Sequence, residues 1–424
     1  MSIHPSKNPT HFVNQSQKPK IPPYHSEIPR IKEILLENQA LALLMVDASH
    51  LNRIEKAFGK KIYQDIIDLL NQKLIDLQGN GIRKDDILTV NHPGGDQFFI
   101  FLSKKRNEKK FFSTDLEGLS ERVTKDLNEK IFKDVFQYLK GRPNITVGHA
   151  IVIYNPLIQE ERLIERLIED SKTMAKFQKF KGEIRNKEKL QELIIKEEIK
   201  IVFQPIVELN TNKVMGYEAL SRGPEGTEYE NPYFLFDIAR EVGLIFELDR
   251  ICRRKGLIHA ARLDQKAKVF INCLPTTIHD PEFKGAYLRD FLEDIKRIPN
   301  NVVMEISERE AINNYPVFRE AMAYYSDLGF SIAVDDTGAG YSSLEAIVEL
   351  QPDFLKLDIS MVRGIDRNLL KQEMTKAMIS FAGSMNAIII AEGIETKEEL
   401  ETVKKLGIPL GQGFLLGRPS SPPE

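Results

Sequence analysis

The chain has little cysteine, no excess of charge of one sign and no long apolar run, and each shortage excludes something. Its two cysteines, Cys252 and Cys273, stand in no metal-like or redox-like spacing, so neither a disulfide framework nor a thiolate metal site is expected. A formal net charge of −3 supplies no basic field to draw the protein to a nucleic acid polymer or an anionic membrane. No stretch approaches the roughly 20 apolar residues of a membrane span, and the first residues carry no apolar core of a secretory signal. A cytoplasmic protein without membrane insertion is the expectation.

What is present is enough for packed cores: 42% apolar and 29% charged residues over 424 positions, a length that favours two domains. Residues 1–29 hold six prolines among Ser, Asn, Gln and Lys and read as a disordered tail. Residues 30–180 read as an α+β domain with a central sheet containing antiparallel strands. Its strand candidates are Leu41–Val46, Ile87–Val90, Phe98–Leu102 and Ile145–Val152, with a tight turn His92-Pro93-Gly94-Gly95-Asp96 between the second and third. Helical spacing of Leu163, Leu167, Met174, Phe177, Phe180 and Ile184 predicts a long helix that runs into a connector at 181–198.

From residue 199 to 424 short apolar runs alternate with helix-length amphipathic segments. The runs are Ile199–Leu209, Val269–Asn272, Val302–Ile306, Ile332–Asp335, Phe354–Leu357, Ile388–Ala391 and Gly411–Leu416. Strands buried on both faces read this way, and the whole predicts an α/β, TIM-like (β/α) barrel. Asn272, Glu305, Asp335 with Asp336, and Glu392 each close or follow such a run. In a parallel barrel those strand ends share one rim, where several acids would repel one another unless cations held them. Carboxylate and amide oxygens without histidine suit Mg²⁺ or Mn²⁺, and paired acids could bridge two ions for displacement at phosphorus. An acid after a strand is often only a helix cap; repetition over four strands argues against that reading here. Cys273 beside Asn272 reads as a small buried residue, and the pair His279-Asp280 lacks the further histidines that a histidine-rich metal site would need.

Residues 186–424 resemble the EAL family of cyclic di-GMP phosphodiesterases. The motifs stand as Phe203-Gln204-Pro205-Ile206-Val207, Glu218-Ala219-Leu220 with Arg222, Asn272-Cys273-Leu274-Pro275, and Glu305-Ile306-Ser307-Glu308. They continue with Asp335-Asp336-Thr337-Gly338-Ala339-Gly340, Lys356-Leu357-Asp358, Ala391-Glu392-Gly393-Ile394-Glu395 and Gln412-Gly413-Phe414. The resemblance implies two divalent cations, Mg²⁺ or Mn²⁺, held by Glu218, Asn272, Glu305, Asp335, Asp336 and Glu392. It implies a water activated between them and directed by Lys356 and Gln412, with cyclic di-GMP as substrate, linear pGpG as product and a homodimer as the assembly. Gln204, Arg222, Asp358 and Gln412 would contact substrate, Arg222 at a phosphate, while Glu308 and Glu395 would anchor ligands and loop from behind. Where the family commonly has Asp-Asp-Phe-Gly-Thr-Gly, this chain has Thr337 and Ala339. A catalytically silent cyclic di-GMP receptor that signals to a protein partner is the alternative reading.

Residues 31–180 resemble the GGDEF family of diguanylate cyclases in degenerate form. Gly94-Gly95-Asp96-Gln97-Phe98 carries a glutamine in the usual glutamate position, and Asp47 matches a metal aspartate whose usual companion is here Ser49. The guanine-contacting positions fall at Glu55 and Gln64, and Lys176 matches a phosphate-contacting lysine. The likeness implies nucleotide-binding remnants at Asp47, Gly94, Gly95, Asp96 and Lys176, with GTP as the ligand to test, and argues against cyclase activity. A purely structural or regulatory domain is the other reading. Arg83-x-x-Asp86 resembles that family's product-inhibition motif but lies two residues further from Gly94 than the motif requires.

Overall fold

The computed structural model describes residues 21–79, 81–103, 113–139, 142–307, 315–337, 347 and 351–422. The chain divides into two compact units, Met1–Arg185 and Asn186–Glu424.

The first unit is built on one four-stranded antiparallel sheet, of β1 (Ala40–Asp47), β2 (Ile87–Val90), β3 (Gln97–Leu102) and β4 (Thr146–Ile153), in the order β2-β3-β1-β4. Side chains alternate between the faces of a strand, so a central strand covered on both sides must be apolar throughout. β1 shows this division: Ala42, Leu44 and Val46 pack with Ile66, Leu70 and Leu74 of the helix Lys60–Leu77. Leu41, Leu43 and Met45 pack on the other face with Ile31, Leu35, Leu163 and Leu167. Order starts earlier than the expected residue 30. Val90 N donates to Pro22 O at 2.9 Å, and the Tyr24 ring meets Phe99 edge-on at 5.5 Å, which ties residues 22–24 to the sheet. The helix Glu160–Ile195 continues unbroken into the expected connector at 181–198 and ends at Ile195, short of its last residues.

The second unit is a closed eight-stranded barrel, the TIM-like architecture expected. Its strands are β5 (Lys200–Glu208), β6 (Lys213–Arg222), β7 (Lys268–Asn272), β8 (Val302–Ser307), β9 (Ser331–Thr337), β10 (Phe354–Leu357), β11 (Ile388–Ala391) and β12 (Leu410–Gly411). β6 to β12 are parallel to one another, whereas β5 runs antiparallel to both of its neighbours. Two strand expectations need correction. β6, which carries Glu218, was not among the expected strands, and the expected strand Gly411–Leu416 stops at Gly411. Beyond that point Leu416 N and Gly417 N both bond to Gly413 O, closing a turn instead of extending a ladder.

Alternation sorts the barrel as it sorts the sheet. Outward residues such as Val269, Ile271, Met304, Ile332, Leu355 and Ile389 pack beneath the surrounding helices. Inward residues Ile206, Phe270, Val303, Ala333, Phe354, Ile390 and Leu410 fill the interior, with Phe270 and Phe354 edge-to-face at 5.2 Å. Each fully buried large side chain of this kind contributes about 1.5–3 kcal/mol. Among the described residues no helix is long and apolar enough to cross a membrane.

Candidate active site

The interior apolar layer dictates where the polar residues point. Two positions beyond an inward residue the next side chain again faces inward, one layer nearer the C-terminal rim. Phe270 is thus followed by Asn272, Val303 by Glu305, Ala333 by Asp335, Phe354 by Lys356 and Ile390 by Glu392. On reversed β5 the same step runs backward, from Ile206 to Gln204, and β6 presents Glu218 beside it, since Gln204 and Glu218 are register partners.

At the centre is Lys356, 1% exposed. Its Nζ lies 2.5 Å from Glu305 Oε1, 2.7 Å from Glu392 Oε1, 3.2 Å from Glu218 Oε2 and 3.5 Å from Asp335 Oδ1. Gln412 Nε2 donates to Glu218 Oε2 at 2.7 Å and to Gln204 Oε1 at 3.1 Å, and Asn272 Nδ2 donates to Glu218 Oε1 at 3.1 Å. Gln204 in turn donates to Gly417 O at 3.0 Å.

Asp336 joins the ring through a backbone irregularity. Val334 pairs with Leu355 and Thr337 with Leu357, so both Asp335 and Asp336 stand opposite the single residue Lys356. Asp336 adopts φ +58°, the left-handed region, which costs an L-residue about 1–2 kcal/mol, though less for Asp than for most. In a regular strand two consecutive acids would face opposite sides. With this bulge, oxygens of Asp335, Asp336 and Glu392 come within 4.8 Å of one another.

Burial sets the charge states. Burial alone would push the Lys356 ammonium down, but the carboxylates of Asp335, Glu218, Glu305 and Glu392 drive it well above the ordinary lysine value. Burial raises Glu305 far above the usual carboxylate range, helped by the charge of Glu218; burial and the Asp335 charge do the same to Glu392. Burial also opposes ionisation of Glu218, yet Lys356 and the hydrogen bonds from Gln412 and Asn272 outweigh it and hold that group low. Glu305 Oε2 and Gln412 Oε1 are buried without a hydrogen-bond partner among the described residues. Buried acceptors left this way are costly, and hard oxygen donors gathered around such a gap fit a hard divalent cation.

A cavity of about 260 Å³ opens beside Asn272, lined by Arg222, Phe236, Arg240, Asp249 and Ser307 among others. Arg222 is partly buried and donates to Ser221 O at 2.8 Å; burial pulls its guanidinium below the ordinary arginine value. Beneath the cavity, Arg253 (1% exposed) donates to Asp249 at 2.7 Å and to Asp280 at 3.0 Å, and Thr277 Oγ1 donates to Asp249. Asp280 is therefore engaged by arginine, and burial pushes the Cys252 thiol up to about 12 and the Cys273 thiol well above its ordinary value.

Other expected site residues make contacts of their own or lie outside what is described. Asp358 caps the short helix Ile359–Val362, accepting from Ser360 N at 2.8 Å. Glu395 pairs with Arg363 at 3.1 Å. Glu308 lies outside the described residues.

In the first unit, Asp47 and the turn Gly94-Gly95-Asp96 meet at one end of the sheet, where Ala48 N donates to Asp96 O at 2.9 Å. Asp96 accepts from Asn52 Nδ2 at 2.9 Å and from Tyr63 at 3.5 Å, and Asp47 accepts from Ser49 N at 2.9 Å. Gly94 has φ +75°, a conformation glycine adopts without penalty. Lys176 is exposed on the helix Glu160–Ile195. Asp86 is a buried acceptor for Arg83 N, Ser103 N and Ser103 Oγ, a structural arrangement for a pair that resembled an inhibition motif.

The chain is 24% identical over 413 residues to the cyclic di-GMP phosphodiesterase NbdA of Pseudomonas aeruginosa, covering 92% of this chain and 50% of that protein. It is 28% identical over 292 residues to the probable cyclic di-GMP phosphodiesterase PdeG of Escherichia coli, covering 65% of this chain and 57% of PdeG. The chain thus spans about half the length of these two relatives. Among solved structures, the PaMucR phosphodiesterase in complex with c-di-GMP shares the fold, with a TM-score of 0.51, 23% identity, and coverage of 56% of this chain and 97% of that one. Residues 187–419, more than half of the chain, match the model of the EAL domain, and the chain therefore belongs to the EAL domain family.

Proposed function

We propose that this protein is a divalent-metal-dependent phosphodiesterase that opens cyclic di-GMP to linear pGpG. The observation that carries the reading is the ring of five carboxylates around one buried ammonium at the barrel rim. Glu218, Glu305, Asp335, Asp336 and Glu392 against Lys356 leave four negative charges if all ionise, a surplus that two divalent cations would neutralise.

Glu218, Asn272, Glu305, Asp335, Asp336 and Glu392 would hold two ions, Mg²⁺ or Mn²⁺ by the hardness of their oxygens. Such ions supply Lewis acidity, which makes water nucleophilic near neutral pH and offsets charge on phosphoryl oxygens. Lys356 keeps its proton and presents a compact positive charge to the phosphate as charge develops there. Gln412 has spent its amide hydrogens on Glu218 and Gln204, which leaves Oε1 as an acceptor that can orient the attacking water. Arg222, on the wall of the adjacent cavity, would pair with a substrate phosphate, and Gln204 and Asp358 would contact the nucleotide. Hydrolysis joins the water oxygen to phosphorus and releases one ester oxygen as a hydroxyl, which takes up the proton. Glu308 and Glu395 act as supports on this reading.

Residues 30–180 act as a degenerate GGDEF-like regulator or scaffold and not as a cyclase. The internal hydrogen bonds of Asp96 and the losses at Ser49, Gln64 and Gln97 support this. GTP is the nucleotide whose binding at Asp47, Gly94, Gly95, Asp96 and Lys176 would give that unit a sensing role. Two copies are expected to pair through the barrel.

The test is incubation of purified protein with cyclic di-GMP and Mg²⁺ or Mn²⁺, with and without GTP, with products separated by chromatography. pGpG formed by the wild type with metal, and not by Glu218→Ala, supports the enzyme. Binding of cyclic di-GMP without product would instead make the protein a receptor.

A further inference from the structure

The bulge that brings Asp335 and Asp336 together needs something to hold it, because an unpaired residue interrupts the β9–β10 ladder at that point. Thr337, the residue directly after the two acids, is 0% exposed. Its Oγ1 donates to Lys356 O at 2.6 Å, and its own carbonyl accepts from Asp358 N at 3.2 Å. A single side chain and its backbone thus grip β10 on both sides of Leu357. One contact falls on the residue whose ammonium sits among the acids, and the other on the residue that caps the next helix.

We infer that Thr337 is a positioning residue, whose hydroxyl locks the bulged aspartate pair against Lys356 and so sets the spacing of the metal-binding oxygens. A phenylalanine, common at this position in the resembling motif, has no donor for that carbonyl; in this chain the hydroxyl provides one. A buried hydroxyl is costly unless bonded, so the contact is retained only while the bulge keeps its geometry. Among the described residues the hydroxyl of Thr337 bonds to the backbone of Lys356 and to no carboxylate of the ring. It acts through the backbone of Lys356 and through the two residues that precede it.

The inference rests on the metal-dependent reading above, and the experiment separates the two. Full-length wild type, Thr337→Val and Thr337→Ser are titrated with Mn²⁺ by calorimetry in the absence of substrate, and turnover of cyclic di-GMP is followed against Mn²⁺ concentration. Valine keeps the shape and removes the donor, so about tenfold or greater weakening of Mn²⁺ binding is expected, in the range found when groups behind metal ligands are lost. Serine keeps the donor and should bind within about twofold of wild type. Thr337→Ala replaces the valine variant if circular dichroism shows that the latter is unfolded. Unchanged Mn²⁺ binding in the donor-free variant, or equal weakening in the serine variant, overturns the role of the hydroxyl. Wild type that takes up no Mn²⁺ overturns this inference together with the metal site. Mn²⁺ uptake that depends on Thr337 without hydrolysis upholds it and removes only the phosphodiesterase reading.

Discussion

Lys356 and Glu218 lie 138 positions apart in sequence and 3.2 Å apart in space, both buried, on strands from different parts of the barrel. Among the described residues the ammonium is the one positive charge in contact with four carboxylates. Without it the ring is held only by protons or added cations. Lys356→Met is therefore expected to abolish hydrolysis and to destabilise the metal-free protein by about 3–5 kcal/mol, the cost of leaving buried charge uncompensated. Mg²⁺ or Mn²⁺ should restore much of that stability, which thermal melts with and without metal will show. Equal metal-free stability of variant and wild type would contradict this account of the ring.

Glu218→Ala and Asp335→Asn remove an oxygen donor or its charge from the ring. Each is expected to lower turnover by at least about a hundredfold while leaving the fold intact. Steady-state rates across a Mn²⁺ series, with circular dichroism as the folding control, check this. Near-native, metal-dependent turnover in either variant would displace the site.

Gly413 tests how Gln412 is held. A Cβ at this glycine would lie 2.2 Å from Ile394 O and 2.3 Å from Ile394 N, both backbone atoms. Gly413→Ala must push the turn away from Ile394 and carry Gln412 with it, off Gln204 and Glu218. Overpacking of this kind costs about 1–3 kcal/mol. A fall in denaturation midpoint together with a fall in kcat is the expected result, and a change in stability alone would separate the turn from catalysis.

His50 gives the first unit a pH dependence. Burial, with Arg53 and Lys179 nearby, lowers its imidazole to about 4 from an ordinary value of 6.5. Between those values the unfolded chain binds the proton and the folded one does not, so stability falls as pH drops from 6.5 towards 4. Urea unfolding at pH 7 and pH 5 should show a smaller loss for His50→Gln than for wild type. The same loss in both would assign the effect elsewhere.

The parts of the site that were legible in sequence are those where a strand buried on both faces ends in a polar residue. Asn272, Glu305, Asp335 and Glu392 stand out because Val269–Ile271, Val302–Met304, Ile332–Val334 and Ile388–Ala391 are apolar without interruption. β6 was not legible as a strand, because Gly216, Tyr217 and Glu218 break its apolar pattern. The turn Asn210-Thr211-Asn212 before it was the available hairpin signal. That Asp335 and Asp336 share one side could not be read from adjacency, since alternation predicts the opposite; a bulge is a property of two strands together. Asp358 and Glu395 matched motif positions, yet the geometry gives them a helix cap and an ion pair with Arg363, contacts that depend on loops with no periodicity to read.

The reversal of β5 decides where the barrel is entered. Lys200, its first residue, pairs with Arg222, the last residue of β6, so the incoming chain arrives at the rim that carries the acids. An all-parallel barrel would receive it at the opposite rim. Just before β5, Arg254 and Lys255 fasten Glu197 and Ile199 to the surrounding helix Ile245–Ala260. The chain therefore meets the barrel at the mouth beside Arg222, without first crossing the packed interior.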